Sequence, residues 1–189
     1  MTENLNFFES RKANADEKEG DFKFVAKEKP TEAELKLLGE GVTAEVCAKY
    51  SYYSLESYSY TRFDSEIKEK GKLLTFTYRS NENYPIFMRD CGTFKKVYKP
   101  SLAKPFRIFY KGDRPSHFIN GLYEINEEYV KRKKKLPEII ICSGERQALC
   151  CAAMGYFPVW FNSELENFSK TDKKILLKYA YKVKYHENY

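Results

Sequence analysis

The residue types and spacing that could do chemistry are clearest around Glu145. An apolar run, Glu138–Cys142, predicts a buried strand, and Ser143-Gly144 predicts a tight turn after it. A helix is then predicted from Glu145 to Met154. Ligands of open parallel sheets bind beyond the carboxyl ends of the strands, where a helix N-terminus can hold an anion. Glu145 could therefore bind a divalent cation or act as an acid or base, or it could only complement the helix dipole.

A second feature with functional meaning is the uneven distribution of charge. The 189 residues include 33 Lys and Arg and 27 Asp and Glu, which gives a formal net charge of +6. The segment from Arg89 to Lys135 holds 13 basic and five acidic residues, a net charge of +8, so the remainder carries about −2. Such asymmetry is typical of a surface that binds a polyanion. The run Lys131–Lys135 could belong to that surface or be the solvated end of a helix.

Most of the predicted nucleic-acid-binding residues come from this basic segment. We expect the basic side chains to lie on adjacent strands and bind phosphates, while tyrosine rings stack on single-stranded bases. The set is Lys95, Lys96, Lys99, Arg107, Lys111, Tyr98 and Tyr110, with Arg146 added from the helix that begins at Glu145. A further tyrosine cluster, between Tyr50 and Tyr60, could also stack bases or could simply alternate across a β-sheet, where Tyr is favoured.

The elements that must position these residues fall into three regions, which together predict an α+β fold. Residues 1–30 are polar and charge-dense and are expected to form a flexible N-terminal tail. Residues 31–135 are expected to form a small unit of helices and antiparallel sheet. Residues 136–189 alternate strand, turn and helix twice, which predicts a βαβα unit with a parallel sheet.

Capping signals locate three of the helices. Thr31 and Glu34 have the spacing of a capping box at the start of a short helix. Thr43 is expected to cap a second short helix. A last helix is predicted over Ser169–Val183, with Asp172 completing its cap and apolar residues along one face.

Apolar and β-branched runs locate the strands. Four strands are predicted as an antiparallel meander, and the first two are expected to form a hairpin around the polar turn Ser80–Asn83. Their ranges are Leu73–Tyr78, Tyr84–Arg89, Phe94–Lys99 and Phe106–Tyr110. A helix from Gly121 to about Lys135 follows. Pro158–Phe161 is expected to form a second buried strand, parallel to Glu138–Cys142.

Several classes of protein do not fit the composition. No run of about 18 apolar residues occurs, so a membrane-spanning helix is not expected. The N-terminus lacks the apolar stretch of a secretion signal, so we expect a cytoplasmic protein whose five cysteines are reduced. Two histidines without a Cys-x-x-Cys pair argue against structural zinc, and the lack of a P-loop argues against an ATP-driven motor.

Taken in order, several segments resemble the N-terminal part of primase–helicase-like proteins of Bacteroides-type phages and mobile elements. The stretch Ile139–Leu149 is similar to the first strand and helix of a TOPRIM domain, the metal-binding fold of DnaG-type primases and topoisomerases. The resemblance covers about four fifths of the chain. The matching segments are Gly41–Val46, Leu74–Arg79, Phe94–Pro100, Phe106–Tyr110, Phe118–Leu122, Ser143–Leu149, Gly155-Tyr156 and Trp160–Glu164.

The resemblance implies a Mg²⁺ site and a sheet domain that helps to bind template and nucleotide, but this chain departs from the TOPRIM pattern. Ser143 stands where the motif has a Glu, and Gln147 where it has an Asp. The Asp-x-Asp pair of the third strand is missing, and the chain is expected to stop before that strand. Glu145 alone would hold Mg²⁺ only weakly, since the ion needs several oxygen ligands. Glu145, Ser143 and Arg146 would then mark a partial site in a truncated TOPRIM-like unit.

These features predict a primase-like, TOPRIM-related nucleic-acid-binding module of a phage or mobile-element replication protein, without complete catalytic machinery of its own. Single-stranded nucleic acid is the expected partner, with a replication protein as a second one. Two alternatives stay open. The same basic face could bind an acidic protein or a replisome component, as an interaction protein or inhibitor does. The chain could also be a metal-dependent nucleotidyl transferase that another chain completes.

Overall fold

The structure, a computed structural model, describes residues 22–63, 73–162 and 167–186. Its contacts divide the chain into two compact units. Unit 1 consists of Met1–Pro30 and Ser51–Arg114, and unit 2 of Thr31–Tyr50 and Pro115–Tyr189. Unit 1 carries an antiparallel sheet and unit 2 a parallel one, which confirms the α+β class.

The helices and strands alternate irregularly along the chain. In chain order they are β1 (Phe22–Ala26), α1 (Glu32–Leu38), α2 (Ala44–Lys49), β2 (Tyr52–Phe63), β3 (Leu73–Arg79), β4 (Ile86–Asp90), β5 (Phe94–Tyr98), α3 (Lys104–Arg107), β6 (Ile108–Gly112), α4 (Leu122–Arg132), β7 (Leu136–Ile141), α5 (Glu145–Ala153), β8 (Pro158–Val159), α6 (Lys170–Tyr179) and β9 (Ala180–Tyr185).

The sheet of unit 1 is organised around one long strand. Six of the described strands form it in the order β1-β2-β4-β5-β6, with β3 also paired to β2. On one edge, β2 pairs with β4 through Tyr52–Leu55 and with β3 through Ser57–Phe63. The predicted hairpin between β3 and β4 is therefore wrong. With 12 residues, β2 is long enough to take both strands end to end, so the turn before Tyr84 joins two strands that share a partner.

The N-terminal region contains a strand where a flexible tail was expected. Residues 22–26 form β1, antiparallel to β2, with Phe24 opposite Tyr58. Phe22 and Phe24 are two positions apart, so in a strand both rings fall on the same face of the sheet. They pack there on other rings, and burial of this apolar surface favours pairing of the segment. Residues 1–21 of the predicted tail lie outside the described residues.

The sheet of unit 1 is strongly curved, and its core lies on the concave side. The strands β1 and β6 are the two ends of the strand order, yet the rings of Phe22 and Phe109 lie only 6.2 Å apart between centroids. The fully buried side chains on this side are Leu55, Tyr58, Ile86, Met88 and Val97. Half-exposed aromatic rings surround this small core.

Unit 2 is built on a parallel sheet with the strand order β8-β7-β9. The predicted parallel pairing is confirmed, since Ile140 lies opposite Pro158 in the register of β7 and β8. The predicted caps are also present. Thr31 and Ser169 both form complete capping boxes, and the Thr43 hydroxyl accepts a hydrogen bond from the Val46 amide.

A third parallel strand, β9, follows α6 and corrects two expectations. The helix ends at Tyr179 rather than continuing to Val183, and the chain does not stop before a third strand. Val183 lies four positions after Tyr179, which fits a helical face, but Ala180–Tyr185 also alternates in the manner of a strand. In the register of the two strands, Ile139 lies opposite Val183.

The boundary between the units also differs from the predicted one at residue 135. Helices α1 and α2 contact α5, and α4 contacts α6, so residues 31–50 and 115–135 join the parallel sheet instead of the antiparallel one. Two polar contacts illustrate this. Lys135 donates from Nζ to the Leu177 carbonyl at 2.7 Å, and Arg146 Nε lies 3.5 Å from the Leu38 carbonyl.

Candidate nucleic-acid interface

Three of the predicted phosphate-binding lysines share one face of the unit 1 sheet. Lys95 on β5 lies directly opposite Lys111 on β6 and Asp90 on β4, and residues that face each other across antiparallel strands project from the same side. Lys99 follows at the other end of β5, about 13 Å along the strand at roughly 3.3 Å per residue. All three side chains lie on the concave side, with Val97 between Lys95 and Lys99.

Three other members of the predicted set, Lys96, Tyr98 and Tyr110, lie on the opposite face. Lys96 is in register with Arg89 and Tyr110, and Tyr98 with Phe87. Lys96 retains only 7% of its exposure, so little of its surface is accessible to a ligand. The alternation of a strand gives the reason: neighbouring residues such as Lys95 and Lys96 must point to opposite sides. Alternation can be read from the sequence, and it assigns the predicted residues of β5 and β6 to the correct faces of the sheet.

The two predicted arginines are not part of the lysine row. Arg107 lies in the short helix α3, where its Nε donates to the Leu102 carbonyl at 3.2 Å. That contact holds the loop after β5 in place. Arg146 is exposed on helix α5, so it lies in unit 2 and not in the unit that carries the lysines.

Seven aromatic rings line the concave side of the sheet, and we call this surface the aromatic face. It comprises Phe22, Phe24, Tyr58, Tyr60, Phe76, Tyr78 and Phe109. Neighbouring rings stack closely: the centroids of Tyr58 and Tyr78 are 4.9 Å apart at an interplanar angle of 9°, and those of Tyr60 and Phe109 are 4.7 Å apart. All but Tyr58 are at least partly exposed to solvent. The rings of β2 and β3 are two residues apart on each strand, a signal that the sequence carries.

Lys99 connects the lysines to the aromatic face. Its ammonium donates to the Tyr58 hydroxyl at 3.0 Å and lies 4.8 Å from the centroid of the Tyr78 ring. Burial lowers the pKa of Lys99 and raises the pKa of Tyr58 above the usual tyrosine value. Within the described ranges, no carboxylate forms an ion pair with Lys99. This ammonium is therefore partly desolvated and held by neutral groups, which is an arrangement that favours an incoming anion.

At the carboxyl ends of the parallel strands in unit 2, hydrogen bonds join Ser143, Gln147 and His186. The Ser143 amide and hydroxyl donate to Gln147 Oε1 at 2.7 and 3.1 Å, and Gln147 Nε2 donates to His186 Nδ1 at 2.9 Å. The three residues come from the end of β7, the first turns of α5 and the residue after β9. The position of His186 at this edge was not predicted, because the third strand, which the residue follows, was not expected.

These residues do not fit a Mg²⁺ site. That ion prefers carboxylate oxygens, water and phosphate, whereas the described residues at this edge offer an amide, a hydroxyl and an imidazole. Glu145 is half-buried, and its Oε1 is shielded from solvent. No cluster of three or more His, Cys, Asp or Glu suited to a metal occurs in the described part of the chain. Lys184 and Tyr185 precede His186, so β9 does not end in the Asp-x-Asp pair.

Two further observations bear on function. None of the helices in the described ranges combines the length and apolarity needed to cross a membrane. Comparisons with protein-family models, curated proteins and solved structures found no match to this chain.

Proposed function

We propose that this chain is a nucleic-acid-binding module that takes single-stranded nucleic acid on the aromatic face of unit 1. The observation that carries the proposal is the position of Lys99. Its ammonium lies on stacked tyrosine rings with no described carboxylate partner, at one end of a face whose other end holds Lys95 and Lys111. Cationic groups beside half-exposed rings are the two components that single-strand binding needs, since the cations contact the backbone and the rings stack on bases.

The distribution of charge over the two units supports the same surface. Residues 51–114, which form most of unit 1, contain 13 Lys and Arg against seven Asp and Glu. Unit 2 contains 14 basic and 13 acidic residues and is close to neutral. A polyanion is therefore drawn to unit 1 rather than to the parallel sheet.

We further propose that the module is primase-like and serves a phage or mobile-element replication protein without complete catalytic machinery. The sequence resemblance to TOPRIM primases and the parallel β8-β7-β9 sheet support the relationship. Ser143, Gln147 and His186 supply no carboxylate, which supports the proposal that the described residues of unit 2 do not perform phosphoryl transfer by a metal mechanism, because such transfer needs a metal fixed by several carboxylates.

The test is fluorescence anisotropy of the full-length chain with a labelled oligonucleotide of about 16 nucleotides, at about 50 and 200 mM salt. We expect binding that weakens as salt rises, since counterions are released on association. Replacing Lys95, Lys99 and Lys111 together by Gln should weaken binding and reduce the salt slope by about 0.7 for each lost phosphate contact. The matched control is Lys131, Lys133 and Lys134 replaced by Gln, which removes the same charge from unit 2.

Three outcomes would contradict the proposal: no binding at low salt, binding that salt does not weaken, or an equal loss in the control variant. Competition with polyglutamate distinguishes nucleic-acid binding from the alternative, in which the same face binds an acidic protein. A surface that reads charge alone binds polyglutamate as well as the oligonucleotide, whereas base stacking adds about 1–3 kcal/mol per base for the nucleic acid only.

A further inference from the structure

A cavity of about 220 Å³ opens at the end of the aromatic face where Lys99 lies. Tyr78 belongs to both the cavity and the aromatic face, and Lys99 lines the cavity and contacts two rings of that face, so the cavity continues the face. Tyr84, Pro85, Ile86 and Leu102 add apolar walls. The Tyr84 side chain is 53% exposed, and in the part of the chain that the structure describes no other ring packs against it.

The rim of the cavity is held by hydrogen bonds and is therefore preformed. Asn81 Oδ1 accepts from the Asn83 and Tyr84 amides, both at 3.0 Å, which fixes the turn before β4. The Ser101 hydroxyl donates to the Asn83 carbonyl at 2.7 Å and joins the loop after β5 to that turn. A preformed site loses little conformational entropy when a ligand enters it.

The charges of the residues that line the cavity determine whether it favours a negatively or a positively charged ligand. Lys99 and Arg79 line the cavity, and no lining residue is acidic. Arg79 is exposed and, within the described ranges, forms no ion pair. Aromatic walls by themselves also attract cations, but two fixed positive groups repel them, so an aromatic ligand with negative charge is favoured.

The size of the cavity limits the ligand further. Pockets that enclose a drug-sized molecule measure roughly 300–1,000 Å³, so about 220 Å³ takes a single ring system rather than a dinucleotide or a folded cofactor. One base between aromatic walls, with its phosphate at the cationic rim, meets both the size and the charge.

We propose that this cavity is a binding site for one nucleotide, whose base stacks on Tyr84 and whose phosphate meets Lys99 and Arg79. The inference rests on the proposed function, because it makes the cavity the anchor of one nucleotide within a strand bound along the aromatic face. A free nucleotide carries the same base and phosphate and could occupy the same cavity. The experiments below distinguish a free nucleotide from one that is part of a bound strand.

The direct test uses saturation-transfer NMR on the full-length chain with adenosine 5′-monophosphate as probe. Ribose 5-phosphate and adenosine serve as ligands that lack the base or the phosphate. We expect the monophosphate to bind more tightly than either part. Tyr84→Ala should weaken both the monophosphate and the oligonucleotide by roughly 5- to 150-fold, the range that loss of one stacked base gives. Tyr156→Ala, an exposed tyrosine of unit 2, should leave both affinities unchanged.

The outcomes separate this inference from the proposed function. Oligonucleotide binding that is unaffected by Tyr84→Ala, or ribose 5-phosphate binding as tight as that of the monophosphate, overturns the nucleotide site and leaves the proposed function standing. Monophosphate binding that depends on Tyr84, in a chain that binds no oligonucleotide, supports the cavity as a free-nucleotide site and overturns the proposed function. A second variant is Arg79→Gln, at an exposed position. It should weaken the binding of the monophosphate but not the binding of adenosine.

Discussion

At the scale of single residues, the fold of unit 2 requires a glycine at position 121. It starts α4 with φ at +84°, a left-handed conformation in which residues with a Cβ are strained. A Cβ there would also collide with the Pro158 carbonyl and approach the Trp160 ring. The neighbouring Asn120 exchanges two backbone hydrogen bonds with Trp160, at 2.9 and 3.2 Å, so the chain cannot move away easily.

Gly121→Ala should therefore destabilise unit 2 by about 2–4 kcal/mol, from backbone strain and from overpacking. The matched control is Gly155→Ala. Gly155 has φ at +85°, but apart from its two chain neighbours no atom of the described residues lies within 4 Å of the position that a Cβ would take, so strain alone should cost about 1–2 kcal/mol. The single tryptophan, Trp160, is buried in unit 2 and reports urea unfolding by fluorescence. Equal losses for the two variants would contradict the role given to the Pro158 carbonyl.

At the scale of elements, the start of α6 is fixed by one carboxylate with two tasks. Asp172 accepts from the Ser169 amide at 2.7 Å to complete the capping box, and from His117 Nε2 at 2.8 Å. Burial alone would raise the pKa of Asp172, but the hydrogen bonds from Ser169 and His117 outweigh it, and the pKa lies below the ordinary value. The charged form of Asp172 therefore ties α6 to the segment before α4.

Asp172→Asn should lower the stability of unit 2 by about 1–2 kcal/mol at pH 7, because hydrogen bonds to a charged acceptor are replaced by weaker ones. The pKa of Asp172 is lowered in the folded chain, so its contribution is present above the ordinary pKa and lost as pH falls through the lowered one. Urea unfolding of both proteins at neutral and acid pH measures the difference. A gap between wild type and variant that stays constant into the acid range would contradict this assignment.

At the scale of the whole molecule, the two units are interleaved along the chain. Residues 31–50 leave unit 1 after β1 and join unit 2, and the chain then returns to complete the antiparallel sheet before it enters unit 2 again. The cysteines are distributed over both units: Cys91 lies in unit 1, and unit 2 contains Cys47, Cys142, Cys150 and Cys151. None of the five forms a disulfide.

Native-state hydrogen exchange in increasing urea should show this division directly. Amides of 32–49 are expected to lose protection together with those of 122–162 and 167–186, and separately from those of 52–63 and 73–112, because contacts within a unit open cooperatively. Exchange of residues 32–49 in step with the antiparallel sheet would show that the boundary drawn here is wrong.

Local features of the fold were predictable, and pairings between distant segments were not. The capping boxes of Thr31 and Ser169 depend on residues three positions apart, and both are present. The strand–turn–helix around Ser143 is equally local. By contrast, β1 pairs with β2, and β2 is shared by β3 and β4. These pairings depend on which aromatic rings meet across the sheet, and the residue pattern within a single segment does not reveal its partner.

The candidate site was predictable in part for the same reason. Lys95, Lys99 and Lys111 were identified by charge, and alternation along β5 assigns them to one face. Lys96 was grouped with them by composition, although it is a neighbour of Lys95 and must point away. The cavity beside Tyr84 depends on two loops meeting through Ser101 and Asn83, a contact 18 residues apart, so it emerged only from the structure.

The interleaving of the units also orders events during synthesis. A ribosome releases α1 and α2 long before it has made α5, the helix that they contact, while unit 1 can close once residue 114 emerges. The nascent chain therefore carries the segment of these two helices without its partner while the antiparallel sheet is translated. Helices of seven and six residues are marginal in water without tertiary contacts, so this segment stays exposed until α5 has been made.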